Sequence, residues 1–188
     1  MDSFFDLSSG SAGVPIAVDV SSYVRSGGNR IELRGPGAAI STVQFVESHY
    51  VSWQDEITAA EPALRLGVSF DKTEGKTGDE ITSTVRIERV GFRGYGMMLA
   101  EIGLPPGVDV DRASLDRAVA AAGSALFRYD VLPDRIVAYV WPKAGGSQFQ
   151  FTIRTRYGMN AQTPASSLYD YYNPEAQTVL RPIRFHID

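Results

Sequence analysis

The side chains best able to carry chemistry are few and scattered. The chain has two histidines, His49 and His186, far apart and each inside a strand-like run, so neither has the spacing that a metal site or a nucleophile–base pair requires. It has no cysteine, which removes thiolate nucleophiles, thiolate metal ligands and disulfides together. No G-x-S-x-G elbow, H-E-x-x-H pair or phosphate-cradling loop occurs. The run GFRGYG at 91–96 spaces its glycines like part of a phosphate loop. It lacks the lysine and the strand-to-helix turn, and reads as a bend or bulge between strands. Asp109, Asp111 and Asp116 flank a helical segment, where they favour its N-terminus or are simply solvated; a calcium loop needs a denser alternation of oxygen ligands. A hydrolase would be left with a carboxylate pair alone. The reading is a protein that is not an enzyme and uses no cofactor or metal.

Recognition chemistry is better represented. SSLYDYYNPE, at 166–175, places Tyr169, Tyr171 and Tyr172 around Asp170, and Trp53 adds a fourth amphipathic ring. Such rings supply contact area with a hydrogen-bonding end. The stretch also reads as a strand ended by Asn173-Pro174, with Tyr169 and Tyr171 on one face, Asp170 and Tyr172 on the other, and at least one tyrosine facing the core. Its main role is then structural, with an interdomain contact as the functional alternative.

The elements that must position these rings are strands. ALRLGVSFD sets Leu64, Leu66, Val68 and Phe70 on one face, and EITSTVRIER does the same with Ile81, Ser83, Val85 and Ile87. SQFQFTIRTRY turns Phe149, Phe151 and Ile153 inward, whereas RIVAYVW is apolar on both faces, as a strand covered on both sides would be. With GMMLAEIGL, ALFRYDVL, SSLYDYYN and QTVLRPIRFHI, the count reaches about seven strands after Glu61, enough for a two-sheet sandwich. One segment departs from this period. In DVDRASLDRAVAAAG, Leu115, Val119 and Ala122 share a helical face, Asp111 caps the start and Gly123 ends the helix. Arg112 and Arg117 then face solvent.

Composition agrees with a folded, acidic protein. Hydrophobic residues at 44% exclude wholesale disorder, and a net charge of -4 gives no basic footprint for nucleic acid. No apolar run is long enough to span a membrane. The opening MDSFFDLSSGSAG has neither the charged nor the apolar region of a signal peptide. Before an alanine-proline linker at 58–62 lies a smaller unit, with strands expected in PIAVDVSSYV, NRIELRG and ISTVQFVESHYVSW. Three strands over about fifty residues bury too little surface to stand alone.

The order of elements is informative. A hairpin, a strand leading into EIGLPPGVDVDRASLDRA, a crossing helix, FRYDVLPDRIVAYVW, a phenylalanine-rich strand and SSLYDYYNPE resemble, over 61–188, the C-terminal receptor-binding domain of the α2-macroglobulin and complement family. The segment IAVDVSSYVRSGGNRIELRGPGAAISTVQFVESHYVSW looks like the returning strands of the CUB-like domain that precedes it in that family. The expected fold is an all-β, antiparallel two-sheet β-sandwich with one short crossing α-helix plus a small N-terminal β unit. The boundaries are 1–58 for the CUB-like segment and 59–188 for the sandwich.

The resemblance also implies a C-terminal piece of a much larger, extracytoplasmic protein, periplasmic, envelope-bound or secreted. That parent would trap proteases or tag targets through a thioester, and this domain's partners would be the thioester domain and the other macroglobulin domains. A thioester needs cysteine, so covalent capture lies outside these residues. Vertebrate relatives use helix lysines for endocytic receptors. Here the helix carries Arg112 and Arg117, and arginine does not replace a compact ammonium donor, so receptor binding is not carried over. The missing cysteine near the end points to a bacterial member. The alternative is a freestanding adhesion or carbohydrate-binding sandwich with Tyr171, Tyr172 or Trp53 as a stacking platform.

Overall fold

Local side-chain bonds decide the character of the first segment. The computed structural model describes residues 17–32, 44–47, 52–53, 63–92, 96–121 and 123–188, and the chain divides into two compact units, Met1–Tyr50 and Val51–Asp188. In the first unit the described residues carry no strand. Instead Asp19 accepts the Ser21 N–H at 2.9 Å before a 3-10 turn at Ser21–Tyr23, and the Asn29 side chain bridges to both the N–H and the carbonyl of Arg25. Such bonds give the backbone partners that compete with a ladder, which is why the strand expected in PIAVDVSSYV is not formed over its described residues. Residues 29–32, 44–47 and 52–53 form no strand either; the rest of the expected β unit, His49 and the 58–62 linker lie outside the described residues.

In the second unit the alternation expected from sequence is realised. In chain order the elements are β1 (Leu64–Phe70), β2 (Glu74–Gly75), β3 (Glu80–Arg89), β4 (Met98–Gly103), β5 (Val108–Val110), α1 (Arg112–Ala120), β6 (Leu126–Val131) and β7 (Arg135–Val140). Then follow β8 (Ser147–Thr155), β9 (Met159–Gln162), β10 (Ser166–Asp170), β11 (Gln177–Leu180) and β12 (Arg184–Ile187). They form a four-stranded sheet β1-β3-β8-β5, a five-stranded sheet β11-β10-β4-β7-β6 and a three-stranded sheet β2-β12-β9. Every pairing is antiparallel except β2 with β12. The fold is an all-β sandwich with one short helix, and among the described residues no helix is long and apolar enough to cross a membrane.

The core gathers Ile81, Val85, Phe151 and Ile153 of one sheet with Ile102, Ile136, Ala138 and Leu168 of the other, each at most 1% exposed. Burying each of these larger side chains, Ala138 aside, contributes about 1.5–3 kcal/mol. Phe185 of the third sheet joins the same core and meets Phe70 edge to face at 4.9 Å.

Several expectations are corrected. β2, β5 and β9 are too short to show a period, so the strand count exceeds seven, and QTVLRPIRFHI is two strands in different sheets, parted by Pro182. β7 is not covered on both faces: Ile136, Ala138 and Val140 are buried, but Val137 and Tyr139 are half-exposed on the other side. The helix stops at Ala120, short of Gly123, whose φ of +68° belongs to the turn beyond. Asp111 does cap it, accepting the Ala113 N–H at 3.0 Å. Leu115 is fully buried, Val119 is half-buried, and Ala122 lies outside the described residues. The anchor sequence reading missed is Ser114. Its Oγ donates to the Asp111 carbonyl at 2.6 Å and accepts the Thr152 N–H of β8 at 2.9 Å.

A candidate interdomain surface

Alternation along β10 points Ser166, Leu168 and Asp170 into the domain and Ser167 and Tyr169 outward. None of the three tyrosines faces the core, contrary to expectation, because Leu168 and Asp170 take the inward positions. Tyr169 lies between Gln177 of β11 and Leu99 of β4, and Leu99 in turn lies beside Tyr139 of β7, next to Arg128 of β6. One row therefore crosses the outer face of the five-stranded sheet.

Ionic groups fix this row. Tyr169 Oη donates to Glu101 Oε1 at 3.2 Å, and Glu101 Oε2 receives Arg135 Nη1 at 2.5 Å. Burial, reinforced by the Glu101 charge, pushes the Tyr169 phenol above its ordinary pKa. The hydrogen bonds Arg135 donates to Asp134 first, then to Glu101, strengthen its hold on its proton. The Arg128 guanidinium lies 5.3 Å from the Tyr139 ring centre while two bonds at 2.9 and 3.1 Å tie it to Asp130. Burial, followed by the Asp130 hydrogen bond, raises the Tyr139 phenol. A β-bulge at Leu126/Arg128 leaves Phe127 exposed, 6.4 Å from Trp141 and edge to face with it.

At the end of β10 the chain turns out of the sheet. Asp170 receives Arg89 Nη2 on Oδ2 at 2.6 Å, while Oδ1 accepts the N–H groups of Tyr172 and Asn173 at 2.8 and 3.0 Å. Burial opposes the Asp170 charge, but these bonds together hold its carboxyl below the ordinary value. Arg89 Nη2 also donates to the Gly96 carbonyl at 3.2 Å, and a Cβ on Gly96 would come within 3.2 Å of Asp170. The expected shared face of Asp170 and Tyr172 is therefore not formed: Asp170 is buried and Tyr172 sits in the turn it caps. Tyr171 keeps β10's register by donating its N–H to Met97 O at 2.9 Å. Tyr171 and Tyr172 stand 51% and 73% exposed, with ring centres 5.1 Å apart and planes at 81°.

The other candidates are not brought to this surface. Trp53 is half-exposed, and no aromatic contact among the described residues joins it to the tyrosines. Arg112 and Arg117 are exposed on α1, which packs chiefly against β8 and β6, with Arg117 3.5 Å from Asp111. His186 is exposed and lies 3.3 Å from Asp188. Among the described residues no group of three or more histidines and carboxylates could hold a metal. Arg89, Glu101 and Arg135 were missed in the sequence, as was the buried role of Asp170; of this row only Tyr139 was hinted at, by the apolar outer positions of RIVAYVW.

Comparison with known proteins places this geometry. The A-macroglobulin receptor binding domain model matches residues 93–180. The crystal structure of native alpha-2-macroglobulin from Escherichia coli, from domain MG7 to the C-terminus, superposes with a TM-score of 0.57 at 13% identity, covering 68% of this chain and 24% of that one. Salmonella alpha-2-macroglobulin reacted with methylamine gives 0.54 at 12% identity, covering 68% and 9%. The cryo-EM structure of native Escherichia coli alpha-2-macroglobulin gives 0.56 at 12%, covering 69% and 10%. The chain thus spans a quarter or less of the length of these alpha-2-macroglobulin structures. No curated protein matches it. Residues 93–180, which carry the tyrosines and the five-stranded sheet, are thus similar to the A-macroglobulin receptor binding domain.

Proposed function

We propose that this domain is a non-catalytic docking module at the C-terminal end of an alpha-2-macroglobulin-like protein, working outside the cytoplasm. Residues 59–188 form the module and residues 1–58 the end of a CUB-like unit. Its partners are the thioester domain and other macroglobulin domains of the parent, and proteases are met only through the whole protein. The observation that carries this reading is the turn of Tyr171 and Tyr172. Two large amphipathic rings stand in solvent on a backbone pinned by the buried Asp170, which suits a fixed contact with another domain.

The rival reading, a sugar-stacking platform, draws on the same exposed rings. Planes at 81° do not offer the flat pair that a saccharide chain would need. In a parent chain with an intact thioester, Tyr171→Ala/Tyr172→Ala is expected to speed consumption of the thioester by methylamine. Equal rates for the intact parent, this variant and a parent lacking residues 59–188 would reject a shielding contact, and glycan-array binding by the isolated chain would support the rival.

A further inference from the structure

The four-stranded sheet leaves part of one strand without a neighbour. β5 pairs with β8 only from Val108↔Thr155 to Val110↔Ile153, after which the chain enters α1. Thr155 donates its N–H to Asp79 O on the β3 side, whereas Thr152 accepts from the Asp111 N–H and donates to Ser114 Oγ on the β5–α1 side. Alternation then aims the N–H and C=O of Gln150 and Gln148 away from β3. No described residue pairs with these four groups.

The glutamine side chains do not fill the space. Gln150 Nε2 donates to Thr84 Oγ1 and Gln148 Oε1 accepts from Arg86 Nε, both at 2.8 Å, which lays them across β3. Beside the bare edge runs a groove of about 730 Å³, with α1 and Gly123–Ala125 as its far wall. Two cations line it. Arg117 has only the exposed Asp111 at 3.5 Å, and Lys143 takes part in no ion pair among the described residues.

We propose that this groove binds an extended acidic peptide segment of a separate protein by strand addition. The segment lies antiparallel to β8, opposite Gln148 and Gln150. Two residues of the segment exchange both N–H···O=C bonds with them, as hydrogen-bonded pairs of an antiparallel ladder do. A carboxylate on the segment sits between Arg117 and Lys143. Four backbone groups at two-residue strand spacing select a polypeptide, and the two cations select its charge. This site lies at the edge of the four-stranded sheet and is independent of the tyrosine surface.

The test uses the full chain, labelled with ¹⁵N, and capped hexapeptides of alternating valine and threonine with a central glutamate or lysine. The glutamate peptide should move the amide resonances of Gln148 and Gln150 and slow their hydrogen exchange. It should bind about 10-fold more tightly than the lysine peptide, the size of one favourable charge contact. Arg117→Glu/Lys143→Glu, at exposed positions, should invert that order. Gln150→Pro, which removes one edge donor and leaves the β3 ladder its bonds, should weaken both peptides. Unmoved Gln148 and Gln150 resonances with every peptide, or equal affinity for the two charges, would overturn the proposal whatever the tyrosine variants do to thioester reactivity.

Discussion

Arg89 Nη2 stands 2.6 Å from Asp170 Oδ2, joining the last residue of β3 to the last residue of β10 through side chains only 12% and 10% exposed. The two strands lie in different sheets, so this pair clamps the sandwich at the edge where the tyrosine turn begins.

Removing one member should be costly, because the other is left buried and charged. Arg89→Met is expected to lower stability by about 3–5 kcal/mol. Chemical denaturation of the variant and of the unaltered chain at pH 7 checks this. The same pair sets an acid limit. The Asp170 carboxyl is held below the ordinary carboxylate value, so its contribution is complete above the unfolded value and is lost as pH falls through the lower folded one. Asp170→Asn should flatten that part of the stability–pH curve below about pH 4.

At the alkaline end the sign reverses. Tyr129, Tyr139 and Tyr169 are all held above the ordinary phenol value, Tyr129 chiefly by its hydrogen bond to Asp116. The folded chain therefore keeps these protons longer than the unfolded one, and stability declines as pH rises above about 10. Ultraviolet titration should show a late phenolate fraction, and Glu101→Gln should move part of it to lower pH.

Ser83 points its hydroxyl into the core, where Oγ has no hydrogen-bond partner. Burying such a group is unfavourable by about 1–3 kcal/mol, so Ser83→Ala should be neutral to stabilising by about 1 kcal/mol. A melting temperature that falls by several degrees would contradict this.

Gly103 is required by close approach rather than by φ. A Cβ there would lie 2.2 Å from the Pro164 carbonyl oxygen, whereas at Gly67 it would lie 3.7 Å from Arg86 Cβ. Gly103→Ala should cost about 1–3 kcal/mol by overpacking, and Gly67→Ala should cost far less. Paired thermal melts separate the two.

What could be read in the sequence was whatever repeats locally. Leu64 to Phe70 and Ile81 to Ile87 announce their faces by period, and Asp111 announces a cap by its place before a helical run. Asp170 could not be read this way. Its inward position depends on Arg89, a partner distant in sequence, and on the N–H groups of a turn that exists only because β10 stops there. The outer tyrosine row was hidden for a related reason: Tyr169 and Tyr139 become neighbours only through Leu99 on a strand between them. The bare edge of β8 was invisible too, since β5 is only three residues long and leaves no periodic trace.

Strand order also shapes how the domain is made. β4 is flanked by β7 and β10, both of which follow it in the chain, and β2 finds its only ladder with β12. As the chain leaves the ribosome, the centre of the five-stranded sheet waits with one or both edges open until later strands arrive. Loop closure of this length slows folding to the millisecond-to-second range typical of β-sandwiches. Met98, Ala100 and Ile102 of β4, buried in the finished sandwich, therefore stay open to solvent until β7 and β10 are made.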